Sequence, residues 1–185
     1  LDAIEVLNAG KREEYFALYL DLINRGVLAA PTGVSDSHGC TSGGLGSNLT
    51  FVQMNSDPSA YEPKELREAF QARATVASNG PMILLSETPG SVLSPGSLSY
   101  EVLAPTWIQV DRVLLLENGL VIDSRTEPTG SFELEPDADA SYVLVAEGDV
   151  AMSPISSQTP WAASSALLVD VDGGGWEAPL PPFSD

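Results

Sequence analysis

The chain has 185 residues, enough for one full-sized domain or two small ones and for a sizeable core. It carries 26 acidic against 8 basic residues, and a net charge of −18 repels phosphate backbones, which argues against a nucleic-acid partner. No apolar run approaches the ~20 residues of a helical membrane span, and the lone Cys40 allows no internal disulfide.

The chain opens on Leu1 and runs at once into "LDAIEVLNAG", which reads as the middle of a longer protein, processed or cut. "AIEVLN" is a short apolar strand followed by turn signals. "REEYFALYLDLINRG" has helical spacing: Phe16, Leu20 and Ile23 form one stripe, with Tyr15, Tyr19 and Leu22 beside it. Glu13 and Glu14 suit the first turn of that helix, Arg25 the last, and Gly26 its stop. "VLAAPTGVSDSHG" is a second strand ending in polar residues. Strand, helix, strand predicts a βαβ unit with parallel strands. A Gly- and Ser-rich loop from Cys40 to Asn48 follows, then a strand "LTFVQM", a helix "EPKELREAFQAR" with Pro63 near its start, and a strand "ATVASNGPMILLS".

Near Thr88 the character changes to short strands punctuated by Gly, Pro, Asn and Asp. They are "SLSYEVLA", "WIQVDRVLLLEN", "LVIDSR", "SFELEP", "ASYVLVAEG" and "SALLVDVDG". Asn118-Gly119 between two of them suits a tight two-residue hairpin turn. The spacing predicts an immunoglobulin-like β-sandwich over residues 88–176, after an α/β part at 1–87 and before a Pro-rich loose tail at 177–185.

Chemistry concentrates in "SDSHG". Along a strand, residues two apart point to one face, so Asp36 and His38 would converge at the carboxyl end of a parallel strand, where α/β folds build their sites. A carboxylate with an imidazole suits Zn²⁺, Mn²⁺ or Fe²⁺. Ser35 and Ser37 would face away or cap the next turn. The competing reading is a plain surface turn, with Asp36 accepting backbone N–H bonds. Upstream, Glu5 and Asn8 are polar residues in or just after a buried strand, and Glu5 there needs a partner, a site or solvent. "DVDGGG" opens like a calcium loop at Asp170 and Asp172 but lacks the later acidic ligand, and reads first as a hairpin or exit turn. Trp107, Trp161 and Trp176 read as core plugs or as a sugar platform.

Taken in order, "IEVLN", "YLDLINRG", "TGVSDSHG", "ELREAFQARATVASNGPMI", "VLAPTWIQVDRVLLLENG" and "PWAASSALLVDVDGGG" resemble the C-terminal part of the PHP-domain metallohydrolases, in particular the CehA/McbA-like branch. The resemblance spans nearly the whole chain and is most specific at "SDSHG" and "ARATVASNGP". It implies the last strands and helices of a distorted β/α barrel followed by a β-sandwich. It implies that Asp36 and His38 are two ligands of a multinuclear centre that hydrolyses phosphate esters or related bonds, with Glu5, Asn8 and Ser35 near it. This sequence departs from the family in lacking its His-x-His motif, its middle Glu and its other histidines. The strand after the glycine loop reads "SNLTFV", without the family's Arg.

With one histidine in total, the chain holds at most half of such a centre. The expectation is a fragment that is inactive alone and binds little or no metal by itself. Its partners would be a phosphate ester-like small molecule in the complete protein, and either a missing N-terminal region or another copy over the open barrel face. An extracytoplasmic setting fits the acidic surface. The alternative is a non-catalytic sandwich module, binding or structural, with a vestigial metal motif.

Overall fold

The computed structural model describes residues 1–8, 11–39, 46–57 and 59–183. Cys40 and most of the glycine-rich loop lie outside them. Among the described residues the chain is mostly β-sheet, with two helices. No helix is long and apolar enough to cross a membrane.

The first unit is β1 (Ala3–Asn8), α1 (Arg12–Asn24) and β2 (Ala30–Val34). β1 and β2 pair in parallel, from Ala3 opposite Ala30 to Asn8 opposite Val34, as the strand–helix–strand pattern requires. Tyr19 and Ile23 are the buried residues of α1, and Phe16 and Leu20 pack at the edge of the same core. Gly26, at φ +79°, ends the helix in a conformation glycine adopts at little cost. β3 (Leu49–Val52) follows, then α2 (Pro63–Gln71), entered through Pro63, and β4 (Thr75–Ser78).

The expected strand "ATVASNGPMILLS" is two strands. Asn79-Gly80-Pro81 interrupts it, since Pro81 has no N–H for a ladder and fixes its own φ. β4 and β5 (Met82–Leu85) therefore enter different sheets. Beyond them lie β6 (Val92–Leu93), β7 (Gly96–Leu103), β8 (Arg112–Glu117), β9 (Leu120–Arg125), β10 (Thr129–Leu134), β11 (Ala140–Glu147), β12 (Trp161–Ser164) and β13 (Leu167–Val169). β8 starts only at Arg112, so Trp107 belongs to the preceding loop.

One sheet has the order β10-β7-β5. A larger one runs β3-β4-β12-β11-β13-β6, with β8 pairing β11 and β9 pairing β8. The two face each other over a core that includes Leu98, Tyr100, Phe132, Leu115, Tyr142 and Leu144. On the other side of the larger sheet, Val143, Val145, Trp161 and Leu168 meet Tyr19, Ile23 and Val6 of the βαβ unit. β11 thus lies between two cores. That is why "ASYVLVA" is buried at every position and lacks the alternation of β7, whose Leu98, Tyr100 and Val102 point in while Ser99 and Glu101 point out.

The larger sheet crosses residue 88: Val76, Ala77 and Ser78 of β4 pair with Ser164, Ala163 and Ala162 of β12. Residues 177–183, expected as a loose tail, instead run along the end of α1. The Leu180 N–H donates to the Asn24 carbonyl at 2.8 Å, and the Arg25 guanidinium lies 4.7 Å from the Phe183 ring centre.

Candidate functional site

β2 ends at Val34, so Asp36 and His38 stand in the loop that leaves its carboxyl end and not on the strand itself. Asp36 takes φ +48°, which no extended strand allows. The loop nevertheless brings the pair together. His38 Nε2 lies 3.3 Å from Asp36 Oδ1, with both side chains open to solvent at 86% and 53% exposure. Two donors about 2.0–2.2 Å from one metal ion at tetrahedral or right angles stand roughly 3.0–3.5 Å apart. The observed separation fits a shared ion as well as it fits a His–Asp hydrogen bond.

Glu5 and Asn8 occupy the adjacent strand. The Asn8 amide donates to Glu5 Oε2 at 2.7 Å, and Glu5 is exposed, so its carboxylate carries no burial cost. Ser35 is half-buried beside Asp36. β3 is docked on β2 through Thr50, whose hydroxyl accepts from the Gly33 N–H and donates to the Gly33 carbonyl, each at 3.1 Å. Asn48, at the head of β3, donates its amide to the Val34 carbonyl at 2.9 Å. Sequence reasoning did not single out Asn48. The only signal was a polar residue placed directly before an apolar strand.

Among the described residues, no group of three or more His, Cys, Asp or Glu comes together to hold a metal. Asp36 and His38 are a pair, short of such a group. The buried Asn8 Oδ1, Ser37 Oγ and Asn48 Oδ1 have no hydrogen-bond partner.

A cavity of about 490 Å³ opens where β1 leads into α1. Lys11, Arg12, Glu13 and Glu14 line it from the helix, and Asn79 and Gln158 from the far side. No side chain caps the helix start, so first-turn N–H groups face out with the positive end of the dipole. Among the described residues Lys11 and Arg12 have no carboxylate partner, and they rest over aromatic rings, Tyr15 at 5.8 Å and Trp161 at 5.6 Å. Asn79 is itself fixed, accepting the Trp161 N–H at 2.7 Å and donating to the Thr159 carbonyl at 2.9 Å.

After β13, Asp170 and Asp172 close a turn upon themselves. Asp170 accepts the N–H groups of Gly173 and Gly175, and Asp172 that of Gly174, at 2.7–2.9 Å. These are the bonds of an Asp-Gly turn. Of the tryptophans, Trp161 is buried against Phe16, Trp176 donates its indole N–H to the Ala140 carbonyl, and Trp107 is exposed.

Comparison with protein-family models, with curated proteins and with solved structures finds no match to this chain.

Proposed function

We propose that this chain is the part of a metal-dependent hydrolase, resembling the PHP type of the CehA/McbA-like branch, that carries its Asp-x-His motif. Its first 87 residues would be the closing strands and helices of a β/α barrel, and the substrate a phosphate ester or a related compound. The observation that carries this reading is the Asp36–His38 pair, 3.3 Å apart where parallel β2 delivers the chain to solvent. Asp36 Oδ1 and His38 Nε2 would hold the ion. A bound divalent ion lowers the pKa of its water and polarises a phosphoryl oxygen. Lys11, Arg12 and the uncapped start of α1 would receive the anionic end of the substrate in the cavity they line. Glu13 and Glu14 on the same wall favour a substrate that also carries hydroxyl or cationic groups.

Because the sequence has one histidine, any further imidazole ligands would come from another part of a longer protein or from a partner polypeptide. The test is metal content and phosphatase activity of the complete assembly, with and without Asp36→Ala. The expected result is metal in the assembly and a loss of at least a hundredfold in kcat for the variant. Full activity in the variant, or an assembly free of metal, would sink the proposal.

A second reading, a non-catalytic module with a vestigial motif, draws on the same two-donor count and the exposure of both side chains. Glycan or protein binding that survives Asp36→Ala would favour it.

A further inference from the structure

We propose that Asn48, together with Asn8 and Ser37, supplies neutral oxygen donors to a Mn²⁺ ion held by Asp36 and His38, an assignment that rests on the metal-site reading above. Buried polar atoms in folded proteins almost always have partners, so an orphan points to a partner that is absent. Among the described residues the buried side-chain nitrogens and oxygens lacking one are Asn8 Oδ1, Ser37 Oγ and Asn48 Oδ1. They are not scattered. Asn8 stands opposite Val34 in the β1–β2 register, Asn48 holds the Val34 carbonyl, and Ser37 lies between Asp36 and His38.

Their chemistry is also of one kind. Asn48 is 6% exposed, and its nitrogen is spent on the Val34 carbonyl at 2.9 Å. Asn8 spends its nitrogen on Glu5 Oε2 at 2.7 Å. These bonds fix which end of each amide is which, and in both the end left over is the carbonyl oxygen. What the place lacks is therefore something electron-poor: a cation, or a donor such as water. Asp36 contributes one full negative charge to it. One carboxylate, one imidazole, two amide oxygens and a hydroxyl are five donors, four of them oxygen; with a sixth place left to water they make an oxygen-rich set, which suits Mn²⁺ better than the four-coordinate nitrogen and sulfur sets favoured by Zn²⁺.

Titration of the whole 185-residue chain with Mn²⁺ alone, read by loss of the free-ion electron paramagnetic resonance signal, tests this. Metal-free melting temperatures are taken in parallel. Asn48→Ala is expected to weaken Mn²⁺ binding about tenfold, the lower end of what an outer-shell partner alone is worth. Asn48→Asp is expected to tighten binding by a similar factor while lowering the metal-free melting temperature, because a carboxylate no longer donates to the Val34 carbonyl. Should both Asn48 variants fail to fold, Asn8→Asp replaces them, with the same tightening expected. If the variants lower the melting temperature but leave the Mn²⁺ dissociation constant unmoved, the orphan oxygens hold only water and the inference is overturned. A wild-type chain that takes up no Mn²⁺ at millimolar concentration overturns it as well. If Asp36→Ala abolishes binding while the Asn48 and Asn8 variants leave it unmoved, this inference falls while the hydrolase reading stands, and that reading is judged separately by activity of the complete assembly.

Discussion

Tyr19 shows what a single side chain does here. Its ring is buried under the larger sheet, and its hydroxyl oxygen accepts the Ala166 N–H at 3.0 Å, joining α1 to the bend between β12 and β13. Tyr19→Phe keeps the packing but strands a buried N–H, so it should cost about 1–3 kcal/mol in urea unfolding. Burial pushes the Tyr19 phenol well above its ordinary value, and burial followed by the Glu117 carboxylate does the same to Tyr142, which donates to Glu117 Oε2 at 2.6 Å. In the unfolded chain both phenols ionise near their ordinary value of about 10. The folded state holds their protons longer, so its stability is intact below about pH 10 and falls as pH rises beyond it. Unfolding free energy measured from pH 8 to 11.5 should show that decline, and the double Tyr→Phe variant should flatten it. Residue by residue, the metal motif was legible because Asp-x-His is a spacing. The positive φ of Asp36 and the orphaned carbonyl of Asn48 were not, because both arise from how the loop leaves β2 and how β3 docks beside it.

Among the elements, the β8–β9 hairpin is the one most openly written in the sequence. Glu117 pairs with Leu120 around Asn118 and Gly119, both at positive φ (+49° and +83°), as a primed two-residue turn demands. Asn118 also fastens the hairpin to its neighbours. Its Oδ1 accepts the Ser141 N–H and its carbonyl accepts the Asn24 amide, each at 2.9 Å. Asn118→Ala loses the side-chain bond and puts a less tolerant residue at positive φ, so a loss of about 1–3 kcal/mol is expected in chemical denaturation. Acid acts on different elements. Hydrogen bonds from Ser56 hold the Glu65 carboxyl below its usual range, and those from Asp149 and Gln109 do the same for Asp111. Lowered carboxylates stabilise the fold above their unfolded values near 4 and lose that contribution as pH falls through the folded ones. A melting temperature that held steady from pH 5 to pH 2.5 would contradict this. β12 escaped the sequence reading for the opposite reason to the hairpin. "WAAS" is short, Ala-rich and buried at all four positions, so no alternation announces it.

For the whole molecule, two opposing features set behaviour in solution. A net charge of −18 keeps copies apart at low salt. Among the described residues β9 pairs only with β8, and Leu120, Val121 and Ile122 along it are 72%, 57% and 52% exposed. Unpaired apolar edges invite strand-to-strand contact. Screening should tip the balance, since the Debye length shrinks from about 30 Å at 0.01 M salt to about 3 Å at 1 M. Sedimentation at those two salt levels should show mass rising with salt, and Val121→Lys should remove most of the rise. Salt-independent monomers would contradict this.

The continuous sheet bears on how the chain could be divided. β4 before residue 88 pairs along one edge with β12 after it, and β5 before residue 88 pairs with β7 after it, so parting the halves would bare a strand edge at each of these seams. The backbone between Glu87 and Thr88 is therefore a tether and not a hinge. A nick there should leave two polypeptides that stay together through gel filtration, as strangers with matching surfaces do. Either piece expressed alone should behave as an orphan subunit that waits for its mate.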